Sequence, residues 1–227
     1  MIAQRAVITN KSSHDKMIIL DASARDKVII LPTQIYEKMI ALDDLMSILE
    51  SYAEIERGGT DGSIQQRERL QDVARFAVQH AAGDIVEIGC LHGSTTVLFA
   101  EVAREFGRYV FAIDPWLIGT QNCDGGEYEI FCRTVEPYRD VIKERHHSSQ
   151  NDEVIQELKH RPLAFAFVDG LHEYAAVLSD IGAVFHAALL AVDDTNGWSV
   201  EVKRAYADGA GTRTQIVNPL FTESYLL

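Results

Sequence analysis

Apolar residues recur in two rhythms along the 227-residue chain. Ile35, Met39, Ile40, Leu42, Leu45, Met46, Ile48 and Leu49 fall at helical spacing, in a pattern that begins near Thr33. A break follows at Gly58-Gly59-Thr60-Asp61-Gly62-Ser63. Leu70, Val73, Ala74, Phe76 and Ala77 then mark a second amphipathic helix, ended by Gly83. From Asp84 onward the pattern alternates. The runs Ile85–Ile88 (broken only by Glu87), Tyr109–Ile113, Leu163–Val168 and Ala188–Val192 are apolar, as strands buried on both faces are. Helical stretches lie between and after them, at 94–106, about 126–143, 151–159, 173–187 and near 199–207. Thr214–Val217 and Ser224–Leu227 read as a closing antiparallel pair, and Ala6–Thr9, Met17–Leu20 and Val28–Leu31 as short β segments at the start. Strands alternating with helices predict an α/β fold, a doubly wound and mostly parallel seven-stranded sheet with helices on both faces. Residues 1–60 are assigned to an N-terminal extension, a lid or an interface, and 61–227 to the sheet domain.

Charge narrows the partners. With 21 basic and 34 acidic residues the chain carries a formal charge of −13, which repels phosphate backbones and anionic lipid surfaces. Nucleic acid and membrane partners are therefore not expected. No apolar run approaches the ~18 residues of a spanning helix, and no leader pattern opens the chain. Cys90, Cys123 and Cys132 show no metal-ligand spacing and suit a reducing compartment, so a cytoplasmic protein is expected.

The chemistry collects at predicted strand ends. Glu87-Ile88-Gly89-Cys90-Leu91-His92-Gly93-Ser94 sits where a strand hands over to a helix, and ligands of such sheets bind at the carboxyl ends of strands. Gly89 and Gly93 dispense with Cβ atoms where a ligand would approach the backbone. The G-x-G-x-x-G spacing of dinucleotide sites is absent, which points away from a pyrophosphate. Asp114 ends the next strand, 25 residues beyond Gly89, where an acidic side chain accepts from ribose hydroxyls. Pro115 and Trp116 add a flat apolar surface for a base. Asp169-Gly170-Leu171-His172 and Asp193-Asp194 leave two further strand ends. Two arrangements are open for these acids. Either the three carboxylates converge on a hard cation such as Mg2+, Mn2+ or Ca2+, or one faces the cleft while the others cap helices. His172 suits a base that takes a proton from a hydroxyl, the alternative being a structural hydrogen bond at a helix start. His92, His146 and His147 gain no role.

Glu87-Ile88-Gly89-x-x-x-Gly93-x-Thr95, Asp114-Pro115, Asp169-x-x-His172 and Asp193-Asp194 together resemble class I S-adenosylmethionine-dependent methyltransferases. More narrowly they resemble the metal-dependent small-molecule O-methyltransferases, both the catechol-type enzymes and the antibiotic-sugar enzymes. The segment Phe167–Tyr174 is also similar to that of cephalosporin-hydroxylase and rhamnosyl O-methyltransferase relatives. The resemblance covers about residues 60–200. It implies a Rossmann-like sheet, an EC 2.1.1 activity, S-adenosylmethionine and Mg2+ as cofactors, and a hydroxylated sugar, natural product or catechol as acceptor. By the same resemblance Glu87, Gly89, Gly93 and Ser94 would hold the methionine part of the cofactor. Asp114 would hold the ribose, and Ser149 and Gln150 the adenine. Asp169, Asp193 and Asp194 would bind the metal, with His172 as general base. The Lys-Pro-Gly-Gly turn usual before the acidic pair is replaced by His186-Ala187-Ala188-Leu189-Leu190, which bears on how Asp193 and Asp194 are aimed. The brief C-terminus leaves the substrate lid to the N-terminal region or a partner subunit, and homo-oligomerisation is open. Three rivals remain: a metal-independent transferase, a non-catalytic cofactor-binding protein, and an NAD-dependent oxidoreductase.

Overall fold

The structure, a computed structural model, describes residues 42–53, 62–117, 125–197, 199–217, 221 and 223–227. The β segments expected at 6–9, 17–20 and 28–31, the start of the first helix and Cys123 lie outside the described residues. Helix α1 covers 42–53, followed by α2 (Gly62–His80), β1 (Asp84–Ile88), α3 (Ser94–Phe106), β2 (Val110–Ile113) and α4 (Glu127–Val135). Then come β3 (Ile142–Arg145), α5 (Asp152–Lys159), β4 (Leu163–Val168), α6 (Tyr174–Val184), β5 (Leu189–Val192), α7 (Val200–Gly209), β6 (Gln215–Val217) and β7 (Ser224–Leu226).

The strands form one seven-stranded sheet in the order β3-β2-β1-β4-β5-β7-β6. The first five are mutually parallel, and β7 runs antiparallel to both β5 and β6. The chain winds outward from β1 to β3 and then returns to lay β4 on the other side of β1. The switch of direction therefore falls between β1 and β4. Pairing of Ile88 with both Ile113 and Val168, and of Val168 with Val192, brings Gly89, Asp114, Asp169 and Asp193 out along one edge of the sheet.

The apolar runs are explained by burial on both faces. Ile85, Phe165 and Phe167 point into one core, with Leu45, Leu49 and Ala53 of α1, Leu70 and Val73 of α2, and Phe99 of α3. Val86, Ile88, Ala166 and Val168 point into the other, against Val154 and Leu158 of α5, Val177 and Ile181 of α6, and Val202 of α7. The edge-to-face contacts of Phe99 with Phe165 and Phe167 knit the first core. Among the described residues no helix is long and apolar enough to cross a membrane.

One stretch departs from expectation. The helix predicted over about 126–143 stops at Val135, and a single 3-10 turn, Glu136–Tyr138, follows. Pro137 has no N–H to continue the α-helical ladder. The chain then enters β3 as Ile-Lys-Glu-Arg, with only Ile142 buried. Such an edge strand lacks the apolar run that marks its neighbours.

Candidate functional site

A cavity of about 310 Å3 opens at the switch point, where β1, β2 and β4 end. Its polar lining is Asp114, Ser148, Ser149, Gln150, Asp169 and His172. Gly89, Gly170, Leu91, Ile113, Pro115, Leu117 and Leu171 complete it. Three non-glycine residues beside these strand ends have left-handed backbones: Leu91 (φ 41), Trp116 (φ 42) and Asp194 (φ 55). Residues so held are costly, and they concentrate at sites that need a fixed loop shape.

The turn after β1 is built on Asp114. The amides of Cys90 and Leu91 both donate to its Oδ2 at 3.0 Å, and the amide of Trp116 donates to Oδ1 at 2.8 Å. The carboxylate thus ties the ends of β1 and β2 together while lining the cavity. Gly89 (φ 90) is required because a Cβ there would lie 1.9 Å from the carbonyl oxygen of Asp169. Gly93 (φ 79) is required because a Cβ would come within 2.9 Å of Phe131 and Val135 on α4. Both glycines make room for the protein itself; Gly89 also lines the cavity, whereas Gly93, expected beside the ligand, lies outside the lining.

Other assignments on this side shift as well. Trp116, expected to face a base, is turned into the core. It is 7% exposed, packs on Phe131 and Tyr128 at centroid distances of 4.6 and 5.1 Å, and donates its Nε1 hydrogen to the Leu91 carbonyl at 2.7 Å. The left-handed backbone aims it inward, and Pro115 and Leu117 line the cavity in its place. Glu87 is buried behind the lining, where it accepts from the Thr96 hydroxyl at 2.5 Å. Burial pushes its carboxyl up to about 8. Ser94 is exposed as the first residue of α3, outside the lining.

Ser149 and Gln150 stand on the wall as expected, placed by the turn between β3 and α5. Asn151 caps α5, its side chain accepting from the amides of Glu153 and Val154, which fixes where that wall begins.

The acids at β4 and β5 do not assemble as a set of three. His172, 18% exposed, lies between two of them, with Nε2 3.7 Å from Asp169 Oδ1 and Nδ1 3.4 Å from Asp194 Oδ2. The Asp169 carboxylate, helped by Asp194 and Asp193 and opposed by burial, holds the imidazole above its ordinary pKa. Asp193 is engaged elsewhere. Gln66 of α2 donates to both its carboxylate oxygens at 3.1 Å, and Oδ1 also takes the Asp194 amide at 2.8 Å. Among the described residues no group of three His, Cys, Asp or Glu side chains could hold a metal ion. The donor set expected for Mg2+ does not fit a shared cation in this arrangement, because two acids face the imidazole and the third faces an amide.

Three participants escape a reading of the sequence. Gln66 sits 127 residues from Asp193, so no local spacing pairs them. Ser148 adjoins the Ser-Gln pair and is the one most within reach. Asp180 lies on α6 behind the wall, accepting from Gln150 Nε2 at 2.9 Å. A lone acid on an otherwise apolar helix is its only signal.

Comparison with known proteins supports this picture. Residues 86–195 match the family model described as a methyltransferase domain. No curated protein sequence matches the chain. The fold is similar to that of CalS11, a TDP-rhamnose 3'-O-methyltransferase of calicheamicin biosynthesis, with a TM-score of 0.60 and 14% identity over 88% of this chain and 96% of that one. It is similar to the SAH-bound methyltransferase PaMTH1 of Podospora anserina, with a TM-score of 0.53 and 11% identity over 89% and 98%. A putative caffeoyl-CoA O-methyltransferase from Staphylococcus aureus gives a TM-score of 0.54 and 12% identity over 85% and 98%. With this strand order, a cavity at the switch point and the match of residues 86–195 to the methyltransferase-domain model, the chain has the fold of these methyltransferases and is an enzyme of the methyl-transferring class.

Proposed function

We propose that this enzyme methylates a hydroxyl of a small, oxygen-rich acceptor with S-adenosylmethionine as donor and His172 as general base. The position of His172 carries the reading: it stands on the wall of the switch-point cavity with a carboxylate on either side of its ring. When bound, S-adenosylmethionine supplies an electrophilic methyl group on a sulfonium. Asp114 would accept from its ribose, Ser149 and Gln150 would meet its adenine, and the turn at Gly89 would take its amino-acid end, with Glu87, Gly93 and Ser94 beside that turn and outside the lining. His172 accepts the proton of the acceptor hydroxyl. The imidazolium so formed lies between Asp169 and Asp194, whose charges stabilise it. These two acids need a positive partner, and His172 itself provides one on taking the proton. No step of this reading passes through a divalent cation.

CalS11 is described as acting on TDP-rhamnose, so hydroxylated sugars and their nucleotides head the acceptor panel, followed by catechols. Calorimetric titration with S-adenosylhomocysteine tests the donor, and methyl transfer from labelled donor across the panel tests the rest. His172→Ala is expected to lose about a hundredfold or more in turnover while keeping its affinity for S-adenosylhomocysteine within a few fold. Undiminished turnover in that variant removes His172 from the reaction. Abolition of activity by EDTA, restored by Mg2+, returns Asp169, Asp193 and Asp194 to the role of metal ligands. Tight binding with no transfer to any acceptor favours the non-catalytic alternative.

A further inference from the structure

Behind the wall formed by Ser149 and Gln150 stands an acid that the proposed reaction does not use. Asp180 is 1% exposed. Its Oδ1 accepts from Gln150 Nε2 at 2.9 Å, and its Oδ2 lies close enough behind Gly170, another wall residue, that a Cβ there would come within 3.4 Å of it. The same Gln150 nitrogen donates to Ser149 Oγ at 2.6 Å. An amide nitrogen carries two hydrogens, so both are engaged within the protein. The Gln150 carbonyl oxygen accepts from the Ser148 hydroxyl at 2.7 Å and has a second lone pair. A carboxylate accepts and does not donate, so reversing the Gln150 amide would set its oxygen against that of Asp180. Burial raises the Asp180 carboxyl to about 6, with hydrogen bonds from Ser149 and Gln150 opposing.

We propose that Asp180 is a positioning residue: it fixes the Gln150 amide with its carbonyl oxygen toward the cavity, and so makes the site select a base that presents an amino group over one that presents a keto oxygen at the same edge. The inference rests on the reading of the cavity as an adenosyl-cofactor site. An aminopurine meets an acceptor there, whereas a keto base sets oxygen against oxygen. In a partly desolvated site such a mismatch is worth about ten- to a hundredfold in affinity.

The test compares S-adenosylhomocysteine with S-inosylhomocysteine, its deaminated counterpart, by calorimetry on the full chain and on Asp180→Asn. The parent is expected to prefer the adenosyl compound by about tenfold or more. The variant offers Gln150 an amide that accommodates either orientation, so its preference should fall to within about threefold at a similar melting temperature. Gln150→Leu, which removes the acceptor, should show the same loss and serves if Asp180→Asn does not fold. A preference that survives unchanged in a folded variant overturns the role of Asp180, as does a parent that binds both compounds equally. A parent that binds neither overturns the cofactor reading and this inference with it.

Discussion

Glu87 departs far from the ordinary behaviour of its residue type. In the fold its carboxyl is raised from 4.5 to about 8, chiefly by burial, with the Thr96 hydroxyl opposing and Asp169 and Asp114 adding. Between those two values the folded chain holds a proton that the unfolded chain releases. The contribution of Glu87 to stability therefore falls as pH rises through that window and levels off above it, at about 1.4 kcal/mol for each tenfold change in proton affinity. Glu87→Gln keeps an acceptor for Thr96 and removes the titration. Its stability relative to the parent should improve by a few kcal/mol between about pH 5 and pH 9, as read by urea denaturation across that range. Parallel pH profiles for the two proteins would mean that Glu87 is ionised in the fold. Much of the candidate site was legible at this scale. Gly89, Asp114, Ser149, Gln150, Asp169 and His172 all stand on the cavity wall, because a strand end dictates where its next residues emerge. Trp116 and Gly93 depart from expectation for one shared reason: spacing tells which residue follows a strand but not where it points. The Gly93→Ala variant should lose about 1–3 kcal/mol in chemical denaturation, because Phe131 and Val135 already fill the space its methyl needs.

Whole elements were legible where both their faces are buried or where a cap and a stripe agree. Helix α3 falls at Ser94–Phe106, matching the 94–106 expected, and β4 at Leu163–Val168 as expected. Strand β3 was not, since an edge strand bearing Lys143, Glu144 and Arg145 buries little and its charges pair with Arg139 and Glu157 instead. Short α5 depends on its cap more than longer helices do, having Val154 and Leu158 buried and Ile155 half-buried to anchor it. Replacing Asn151 by Ala should cost about 1 kcal/mol in denaturant unfolding. Because that cap also begins the wall that carries Ser149 and Gln150, a matching weakening of S-adenosylhomocysteine binding is expected in calorimetry. Unchanged binding alongside the stability loss would show that the wall holds its shape without the cap.

At the scale of the molecule, contacts remote in sequence decide how the parts fit. Arg69 of α2 and Glu223 before β7 form a two-pronged ion pair at 2.5 and 3.0 Å, with side chains 1% and 0% exposed. The guanidinium also lies over the Phe221 ring, and the Tyr225 hydroxyl donates to Glu223. Nothing in the local pattern announces a pair 154 residues apart, and the helical stripe of α2 predicts a surface position for Arg69 at least as readily. Arg69→Met strands a buried carboxylate and should cost about 3–5 kcal/mol, with part of that recovered when Glu223→Gln is added; a double-mutant cycle by denaturation measures it. The contact of Gly89 with the Asp169 carbonyl has a different kind of consequence. It leaves no slack between β1 and β4, the seam that divides the cavity's two flanks. On one flank lie Asp114, Ser149 and Gln150, and on the other Gly170, Leu171 and His172. In the proposed reading the first flank serves a donor that never changes and the second an acceptor that differs from enzyme to enzyme. The two sides are thereby separable in what they tolerate: replacements around Leu171 should change which acceptor is taken while the affinity for the donor stays as it was.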